Sequence, residues 1–426
     1  MTLLRFVRIS ALLTFALAAH AAPVFTTLYN FQGKPDGAGP GAYLTADKNG
    51  VLYGVAAKGA YDRGMVFSLT PPTSPGGAWT ETILHQFTTR EGAWPNSPLV
   101  LGPDGALYGT TQAGGAGYGI VYRLKPPASP SGRWRLAVLY AFMDEGDGAV
   151  PSAGLARDSS GVLYGTTTFD GSSAAVCEGV GCGTVFAVTP PAAPGESWTE
   201  TVLYSFTGSN GDGSQPYTNV ILGSGGELYG TSVPCQLAGC SAGDGNVYEL
   251  SPPISPGGAW TETILHTFTG PDGSYPQSGV ILGPDGSLYG TTYDGGSSGY
   301  GAVYQLAPPA SPGDPWQENL LYSFSKSEAL MFGPALGVHG ELFGTTISGG
   351  RHNGGTVFKL APPASGSGTW NRTLLHSFPR IRYNAIGGLL IAADGVLYGT
   401  SSSGGSGPCV FHHQAIGCGT VFALAP

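Results

Sequence analysis

The sequence predicts an all-β fold, a seven-bladed β-propeller of four-stranded blades. The first observation is a repeated LYGTT-like stretch, which occurs seven times, at Tyr53, Tyr108, Tyr164, Tyr229, Tyr289, Phe343 and Tyr398. The second is its spacing of roughly 55 to 65 residues, which suits a four-stranded blade and is too long for a leucine-rich or ankyrin repeat. The third is that the two ends of the chain each carry part of one repeat, so that the first strand can complete the last blade.

Repeat five shows the four predicted strands, called a to d below. Residues 279–292, GVILGPDGSLYGTT, are two short apolar runs, a and b, joined by a Pro-Asp-Gly turn. After a Gly-rich loop, residues 301–309, GAVYQLAPP, form strand c, which two prolines end. Residues 316–324, WQENLLYSF, form strand d. Each unit therefore predicts four strands of about five to nine residues and no helical period.

Strand d carries most of the tryptophans. Six of the seven open this strand, and the pleat of a regular strand places the Trp, an aliphatic residue and the closing Phe on one face. Repetition in nearly every unit predicts packing between blades. His85, His266 and His376 stand where other repeats have tyrosine, which indicates a structural role.

The two ends predict how the ring closes. The chain finishes on a strand c, GTVFALAP, with no strand d behind it, whereas residues 24–31, VFTTLYNF, read as a strand d with no repeat in front. The N-terminal strand therefore completes the seventh blade and leaves no open sheet edge. Residues 22–426 form one domain, with blades at about 39–87, 94–142, 150–206, 215–268, 275–324, 331–378, and 385–426 together with 24–31.

Residues 1–21 have the features of a secretory signal peptide. Arg5 and Arg8 precede an apolar stretch too short to span a bilayer, and Ala19 and Ala21 form a small-residue cleavage site. We expect export to the periplasm or the extracellular space, no membrane insertion after cleavage, and a monomer. Removal of the two arginines lowers the formal net charge from −9 to −11, which disfavours nucleic acid and anionic membranes as partners.

The six cysteines form close pairs in the loops between strands b and c. The pairs are Cys177 with Cys182, Cys235 with Cys240, and Cys409 with Cys418. In an exported chain this pattern predicts three local disulfides. The alternative is a four-cysteine zinc site that joins the first two pairs, although their C-x4-C spacing departs from the usual C-x2-C.

The repeat unit, GxLYGTTxxGGxxxGxVFxLxPPxxPGGxWTETxLHxF, resembles the GloVer (Gloeo/Verruco) repeat of the choice-of-anchor tandem-repeat proteins of bacteria. The resemblance covers nearly the whole mature chain. It implies a β-propeller outside the cytoplasm and no settled activity. Members often carry a C-terminal anchor, whereas this sequence stops at the ring, so release rather than attachment is expected.

Function is expected on the face formed by the d-to-a and b-to-c loops, which are long and rich in Gly. The d-to-a loops place an acidic residue at one position, the acid slot, in five repeats: Asp36, Glu91, Asp147, Asp212 and Asp272. These carboxylates would bind calcium, act in pairs as acid and base, or simply satisfy backbone N–H groups in Asp-Gly turns. No other cofactor is expected.

Loop aromatic residues suggest carbohydrate recognition, since sugar C–H faces stack on rings and hydroxyls bond to acids. The predicted ligand-binding residues are Trp94, Tyr118, Asp212, Asp272, Tyr275 and Tyr300, and no catalytic residue is assigned. The preferred function is non-catalytic binding of a polysaccharide. A platform for an extracellular protein partner is the first alternative. The second is a polysaccharide-cleaving enzyme that uses an acid with the His and Arg residues of repeats six and seven.

Overall fold

The computed structural model describes residues 22–426 except 42, 130–131, 144, 172–176, 178–180, 194, 210, 235–242, 256, 312, 326–327, 329–331, 364–367 and 381–386. The predicted signal peptide lies outside the described residues. Seven antiparallel sheets form the blades of a propeller, which confirms the predicted fold class. Strands, turns and loops make up the described residues, and they include no helix that could cross a membrane.

Blades 1 to 3 follow the chain in the order a, b, c, d. Their strands are β2 (Ala38–Pro40), β3 (Thr45–Ala46), β4 (Leu52–Lys58), β5 (Met65–Thr70) and β6 (Thr80–Gln86) in blade 1; β7 (Val100–Leu101), β8 (Leu107–Thr111), β9 (Ile120–Lys125) and β10 (Arg135–Ala141) in blade 2; and β11 (Ala156–Arg157), β12 (Leu163–Thr167), β13 (Thr184–Thr189) and β14 (Thr199–Ser205) in blade 3.

Blades 4 to 6 repeat this order. Their strands are β15 (Ile221–Leu222), β16 (Leu228–Ser232), β17 (Asn246–Ser251) and β18 (Thr261–Thr267) in blade 4; β19 (Val280–Leu282), β20 (Leu288–Thr292), β21 (Ala302–Ala307) and β22 (Gln317–Ser323) in blade 5; and β23 (Ala335–Leu336), β24 (Leu342–Thr346), β25 (Thr356–Ala361) and β26 (Asn371–Ser377) in blade 6.

Blade 7 closes the ring with the two ends of the propeller. It contains β27 (Leu390–Ile391), β28 (Leu397–Ser401), β31 (Thr420–Ala425) and, as its strand d, the N-terminal β1 (Val24–Asn30). Val24 pairs with Ala425 and Asn30 with Thr420. Phe25 of β1 stacks on His376 of blade 6, with ring centroids 3.9 Å apart. The predicted closure is confirmed. A hairpin of β29 (Val410–Phe411) and β30 (Gln414–Ala415) projects from the b-to-c loop of this blade.

Strand a is shorter than predicted. In blade 2 it pairs over Val100–Leu101 alone, although Ala93 makes a separate bridge to Ala113 further along strand b. Pro95 lies between these two contacts. Because proline has no N–H to donate, the ladder is interrupted there.

The apolar core consists of seven clusters, each between two neighbouring blades. At the centre of each, the phenylalanine that ends strand d meets an aromatic residue of strand c in the next blade, with ring centroids 5.0 to 5.4 Å apart. The pairs are Phe31–Phe67, Phe87–Tyr122, Phe142–Phe186, Phe206–Tyr248, Phe268–Tyr304, Phe324–Phe358 and Phe378–Phe422.

The glycine of each LYG stretch makes room for this aromatic ring. A Cβ atom on Gly165 would stand 2.5 Å from Cζ of Phe186, closer than real Cβ contacts allow. The same conflict arises at Gly344 with Phe358 and at Gly399 with Phe422. The LYG repeat is thus explained by core packing.

The tryptophans pack between blades, as predicted, but not on the face of strand d that was expected. Trp79 contacts Tyr398 of the preceding blade, whereas Phe87 contacts Tyr122 of the following blade. The prediction of one shared face was wrong because every strand d contains a β-bulge, in blade 1 opposite Val66 and Phe67. The extra residue inverts the alternation of side chains between the Trp and the Phe.

Candidate ligand-binding funnel

A funnel opens at the propeller axis on the face of the d-to-a and b-to-c loops. Its volume is about 530 Å³, and all seven blades contribute to its wall. In blades 1 to 5 the wall residue is the one directly after the proline of the d-to-a loop, here called the loop proline. The wall residues are Gly41, Asn96, Ser152, Tyr217, Gln277, Phe332 and Gly387, with Gln112 and Ser402 from b-to-c loops.

The funnel continues into a narrower chamber of about 110 Å³ that shares Asn96, Ser152, Tyr217, Gln277 and Phe332. Tyr43 of blade 1 forms part of its wall. The ring of Tyr43 meets Phe332 edge-on, with centroids 5.8 Å apart, and its hydroxyl accepts a hydrogen bond from the Gly333 N–H at 3.4 Å. Burial raises the pKa of the Tyr43 hydroxyl to about 12, so it remains a neutral hydrogen-bonding group.

The chemistry of the wall is that of amides, hydroxyls and aromatic rings. Asn96, Gln112 and Gln277 can each donate and accept, Ser152 adds a hydroxyl, and Tyr217 is 39% exposed. The described wall residues include no carboxylate, imidazole or cationic group. Such a surface suits a neutral ligand with many hydroxyl groups.

The residue before each loop proline holds the funnel loop in place. It adopts a left-handed backbone in five blades, with φ of 64° at Gly39, 59° at Trp94, 58° at Val150, 47° at Gln215 and 57° at Tyr275. This conformation is unfavourable for a bulky or β-branched residue. A hydrogen bond to the preceding blade accompanies it: the Trp94 N–H donates to the Arg63 carbonyl at 2.9 Å, and the Tyr275 N–H to that of Asp244 at 2.8 Å.

The loop proline itself packs on a glycine of the preceding blade. A Cβ on Gly64 would lie 2.2 Å from Cδ of Pro95, and one on Gly245 would lie 2.5 Å from Cδ of Pro276. The glycine that opens strand c therefore permits the close approach of the next funnel loop.

The first threonine of LYGTT is the third support of the funnel. The Thr231 hydroxyl donates to the Pro276 carbonyl of the next blade at 2.8 Å, and Thr166 donates to Thr218 at 2.9 Å. Thr110, Thr345 and Thr400 make corresponding bonds to the next blade. Blade 1 has Val55 at this position and makes no such bond. The repeated threonine was visible in the sequence, but its bond to the next blade was not assigned from it.

The four predicted aromatic residues lie in the d-to-a and b-to-c loops, and none of them is among the residues that line the funnel. Trp94 and Tyr275 occupy the left-handed position two residues before the wall residues Asn96 and Gln277, and Trp94 is 47% exposed. The guanidinium of Arg63 lies 5.9 Å from the centre of a Trp94 ring. Tyr118 and Tyr300 lie in the b-to-c loops, and each is 37% exposed. Tyr217, which follows a loop proline, is the wall residue of blade 4.

The two predicted acidic residues face their own loops. Asp212 is 7% exposed and accepts hydrogen bonds from the Thr207 N–H and hydroxyl, both at 2.7 Å. Asp272 accepts from the Thr269 N–H at 2.9 Å and lies 2.9 Å from Nε2 of His266. Hydrogen bonds from backbone and side-chain donors lower the pKa of Asp272.

The acid slot thus has the arrangement expected of a loop-stabilising turn. Asp147 likewise accepts from the Met143 N–H at 3.0 Å and the Tyr140 hydroxyl at 2.7 Å. In the described part of the chain, no group of three or more His, Cys, Asp or Glu residues is arranged to hold a metal ion.

Two of the predicted disulfides are present. Cys177 is bonded to Cys182 and Cys409 to Cys418, with Cα atoms 5.5 and 5.0 Å apart. The Cys235–Cys240 pair lies outside the described residues. The alternative of a four-cysteine zinc site was wrong, because Cys177 and Cys182 are bonded to each other and cannot act as thiolate ligands.

Comparison with solved structures shows the propeller fold. An ulvan lyase, a polysaccharide lyase bound to -[GlcA(1-4)Rha3S]-, superimposes with a TM-score of 0.53 at 10% identity, over 93% of this chain and 95% of the other. The extracellular domain of a two-component system from B. thetaiotaomicron gives 0.50 at 10% identity, over 93% of this chain and 39% of the other. A prolyl endopeptidase gives 0.45 at 16% identity, over 85% and 46%.

This chain accordingly spans less than half the length of the last two structures. No curated protein matches its sequence. The family model described as the Gloeobacter/Verrucomicrobia repeat matches residues 14–240 and 235–426. The chain therefore belongs to the Gloeobacter/Verrucomicrobia repeat family.

Proposed function

We propose that this protein is an exported, non-catalytic polysaccharide-binding propeller whose binding site is the axial funnel. The observation that carries the proposal is the funnel wall, where amide, hydroxyl and aromatic side chains from different blades converge on about 530 Å³. Amides and hydroxyls pair with the hydroxyl groups of a sugar, and the rings of Tyr217 and Phe332 offer faces for its C–H groups.

The rim extends this site along the loop face. Trp94 in blade 2 and Tyr275 in blade 5 lie beside the wall residues Asn96 and Gln277, and Tyr118 and Tyr300 lie in the neighbouring b-to-c loops. A polymer that enters the funnel would cross this rim, so several sugar units have rings to stack on. Asp212 and Asp272 act indirectly in this proposal, by holding the d-to-a loops.

Export is part of the proposal. The disulfides Cys177–Cys182 and Cys409–Cys418 are typical of proteins in oxidising compartments, and residues 1–21 have the features of a signal peptide. The lyase with a similar fold cleaves a polysaccharide, but 10% identity carries no residue of its site to this chain. Binding is preferred to cleavage because the described wall offers no acid–base pair.

The test is a screen of neutral and acidic polysaccharides, followed by calorimetric titration of the best ligand. Two variants separate wall from rim. Tyr217→Ser gives the wall position of blade 4 the residue type that blade 3 has there, at Ser152. Trp94→Gly with Tyr275→Gly gives both rim positions the glycine that blade 1 has at Gly39, which relieves the left-handed backbone instead of straining it. The double variant, which removes two rings, should bind at least tenfold more weakly, and Tyr217→Ser, which removes one ring, about fivefold more weakly, since stacking contributes about 1 kcal/mol per ring.

Ile254→Ala is the matched control, because Ile254 is fully exposed in a c-to-d turn on the opposite face. It should bind like the wild type. Binding of no polysaccharide by the wild type, or equal binding by all variants, would overturn the proposal. Release of unsaturated products or new reducing ends would establish a cleaving enzyme instead, and capture of one protein partner without glycan binding would favour a platform.

A further inference from the structure

We propose that blade 2 carries a second binding site, for a sulfate or phosphate group, on the face of the c-to-d turns. This site is separate from the axial funnel and does not depend on the function proposed for it. Its elements are the end of β9, the start of β10 and the described turn residues 126–129 and 132–134. A cavity of about 390 Å³ lies there, lined by Lys125, Ser129, Arg133 and Arg135 together with Pro126 and Pro127.

The strand register brings two of the cations together. Lys125 is the direct antiparallel partner of Arg135. Side chains at directly opposed positions point to the same face of the sheet, with Cβ atoms about 5 Å apart, and like charges there destabilise the pair. Arg133, two residues before Arg135, also lines this cavity.

The other six blades avoid this arrangement. Their residue pairs at the register of Lys125 and Arg135 are all uncharged: Thr70–Thr80, Thr189–Thr199, Ser251–Thr261, Ala307–Gln317, Ala361–Asn371 and Ala425–Val24. The position of Arg133, just before the tryptophan of strand d, is Ala78, Ser197, Ala259, Pro315 or Thr369 elsewhere. Blade 2 therefore departs from the repeat at three positions, each time toward a positive charge.

No protein carboxylate balances these charges in the described part of the chain. The ion pairs found there involve other residues, namely Lys34–Asp62, His85–Glu91, His266–Asp272 and Arg372–Glu328. In a protein of formal net charge −9, three convergent cations without a carboxylate partner form a local site for an anion.

The chemistry favours a compact oxyanion. Two guanidinium groups offer paired N–H donors that match the oxygens of sulfate or phosphate, and the Lys125 ammonium adds a third charge. Ser129 contributes a hydroxyl donor at the same cavity. The oxyanion can be an ester on a glycan or a free inorganic ion, and both present the same oxygens to the site.

The test compares the wild type with a variant that restores the residues of blade 1. Lys125→Thr, Arg133→Ala and Arg135→Thr together copy Thr70, Ala78 and Thr80. Calorimetric titration with sodium sulfate and sodium phosphate, against sodium chloride at equal ionic strength, should show saturable binding to the wild type. The variant should bind at least tenfold more weakly. In chloride alone its Tm should equal or exceed that of the wild type, because the like-charge pair is gone.

Two controls keep the result specific. Lys48→Thr with Arg90→Thr removes two exposed charges elsewhere and should leave oxyanion affinity unchanged. The single variant Arg133→Ala, which lies in the turn outside the strand pair, should lose affinity without affecting the fold. A sulfated oligosaccharide that binds more tightly than inorganic sulfate would identify a glycan ester as the source, and the reverse order a free ion. Absence of saturable binding, or equal affinity in the wild type and the triple variant, would overturn the proposal.

Discussion

The Tyr204 hydroxyl of blade 3 donates to the Glu262 carboxylate of blade 4 at 2.9 Å, and the carboxylate of the acid-slot residue Asp212 lies 3.4 Å from the same hydroxyl. Two carboxylates thus share one hydroxyl between adjacent blades. Related pairs are Glu81 with Asp36, Glu200 with Asp147 and Glu318 with Asp272. Burial, with a smaller contribution from the neighbouring Asp, raises the pKa of each of these four glutamates to about 7.

The protein should therefore lose stability as the pH rises from mildly acidic values. A pKa raised in the folded state means that protonation stabilises the fold. The stabilisation is complete below the ordinary value of 4.5 and is lost as the pH rises through about 7. His85 and His376, whose pKa values burial lowers, act in the opposite direction below pH 6.5. Because four glutamates oppose two histidines, we expect the Tm to fall between pH 5 and pH 7.5.

Replacement of the four glutamates by glutamine separates the two effects, since glutamine resembles the protonated acid. The quadruple variant should lose most of the decline in Tm between pH 5 and pH 7.5, as followed by circular dichroism in buffers of equal ionic strength. A wild-type profile that rises over this range would contradict the assignment.

Gly165→Ala should destabilise the fold by about 2 kcal/mol, the cost of overpacking a core. The added methyl would stand 2.5 Å from Cζ of Phe186 and 2.9 Å from Cδ2 of Leu155. Denaturant unfolding measures the loss. Phe186→Leu should restore part of it, so a double-mutant cycle should give a coupling of at least 0.5 kcal/mol. Simple additivity of the two changes would show that the ring and the glycine are not in conflict.

Deletion of residues 24–31 should open the ring. It removes strand d of blade 7 together with the Phe31–Phe67 contact and exposes two sheet faces. We expect aggregation or loss of cooperative unfolding, measured by size-exclusion chromatography with light scattering and by calorimetry. A shorter deletion that stops at Pro23 is the control. A monomeric 24–31 deletion with an unchanged Tm would refute the closed seven-bladed ring.

Peptide mapping without reduction should find three local disulfides, including Cys235 with Cys240. Cys409→Ser with Cys418→Ser should lower stability by about 2 kcal/mol, on the chain-entropy estimate for a short loop. The loop that this disulfide closes also packs on the segment just after β1, where a Cβ on Gly33 would lie 3.4 Å from Sγ of Cys409. Free thiols at Cys235 and Cys240 in protein prepared from an oxidising compartment would contradict the prediction for that pair.

The fold could be predicted because its determinants repeat. The number and spacing of the repeats predicted seven blades, and the prolines predicted where strands end. The incomplete repeat at each end of the chain predicted how the ring closes. The side of strand d to which Trp79 points could not be predicted, because the alternation of apolar and polar residues in the sequence did not reveal the β-bulge. The length of strand a was overestimated, because an apolar run does not show how many of its residues pair with strand b, and in blade 2 only Val100 and Leu101 do so.

The funnel was harder to predict because its wall positions differ from blade to blade. Asn96, Ser152, Tyr217 and Gln277 share only their place after a loop proline. Trp94 and Tyr275 were singled out as departures from the repeat, whereas their left-handed backbone depends on hydrogen bonds to the preceding blade. For the acid slot, the partner within the unit lies in strand d at a spacing that varies from six to eight residues, as in His266 with Asp272, Tyr140 with Asp147 and Tyr204 with Asp212. The glutamate from the next blade became apparent only in three dimensions.

Because Val24 pairs with Ala425, the two ends of the propeller are adjacent, and the chain could begin at a different blade while the blades keep their order around the ring. In blade 1 the equivalent partners, Thr70 and Thr80, are joined by the turn 71–79. A turn of that sequence placed between Ala425 and Val24 would give blade 7 the same connection, and a cut in any other c-to-d turn would then create new ends. The position of the chain ends in the ring can therefore be changed by circular permutation. A circular permutant cut in the turn of blade 4 should keep both the fold and the funnel.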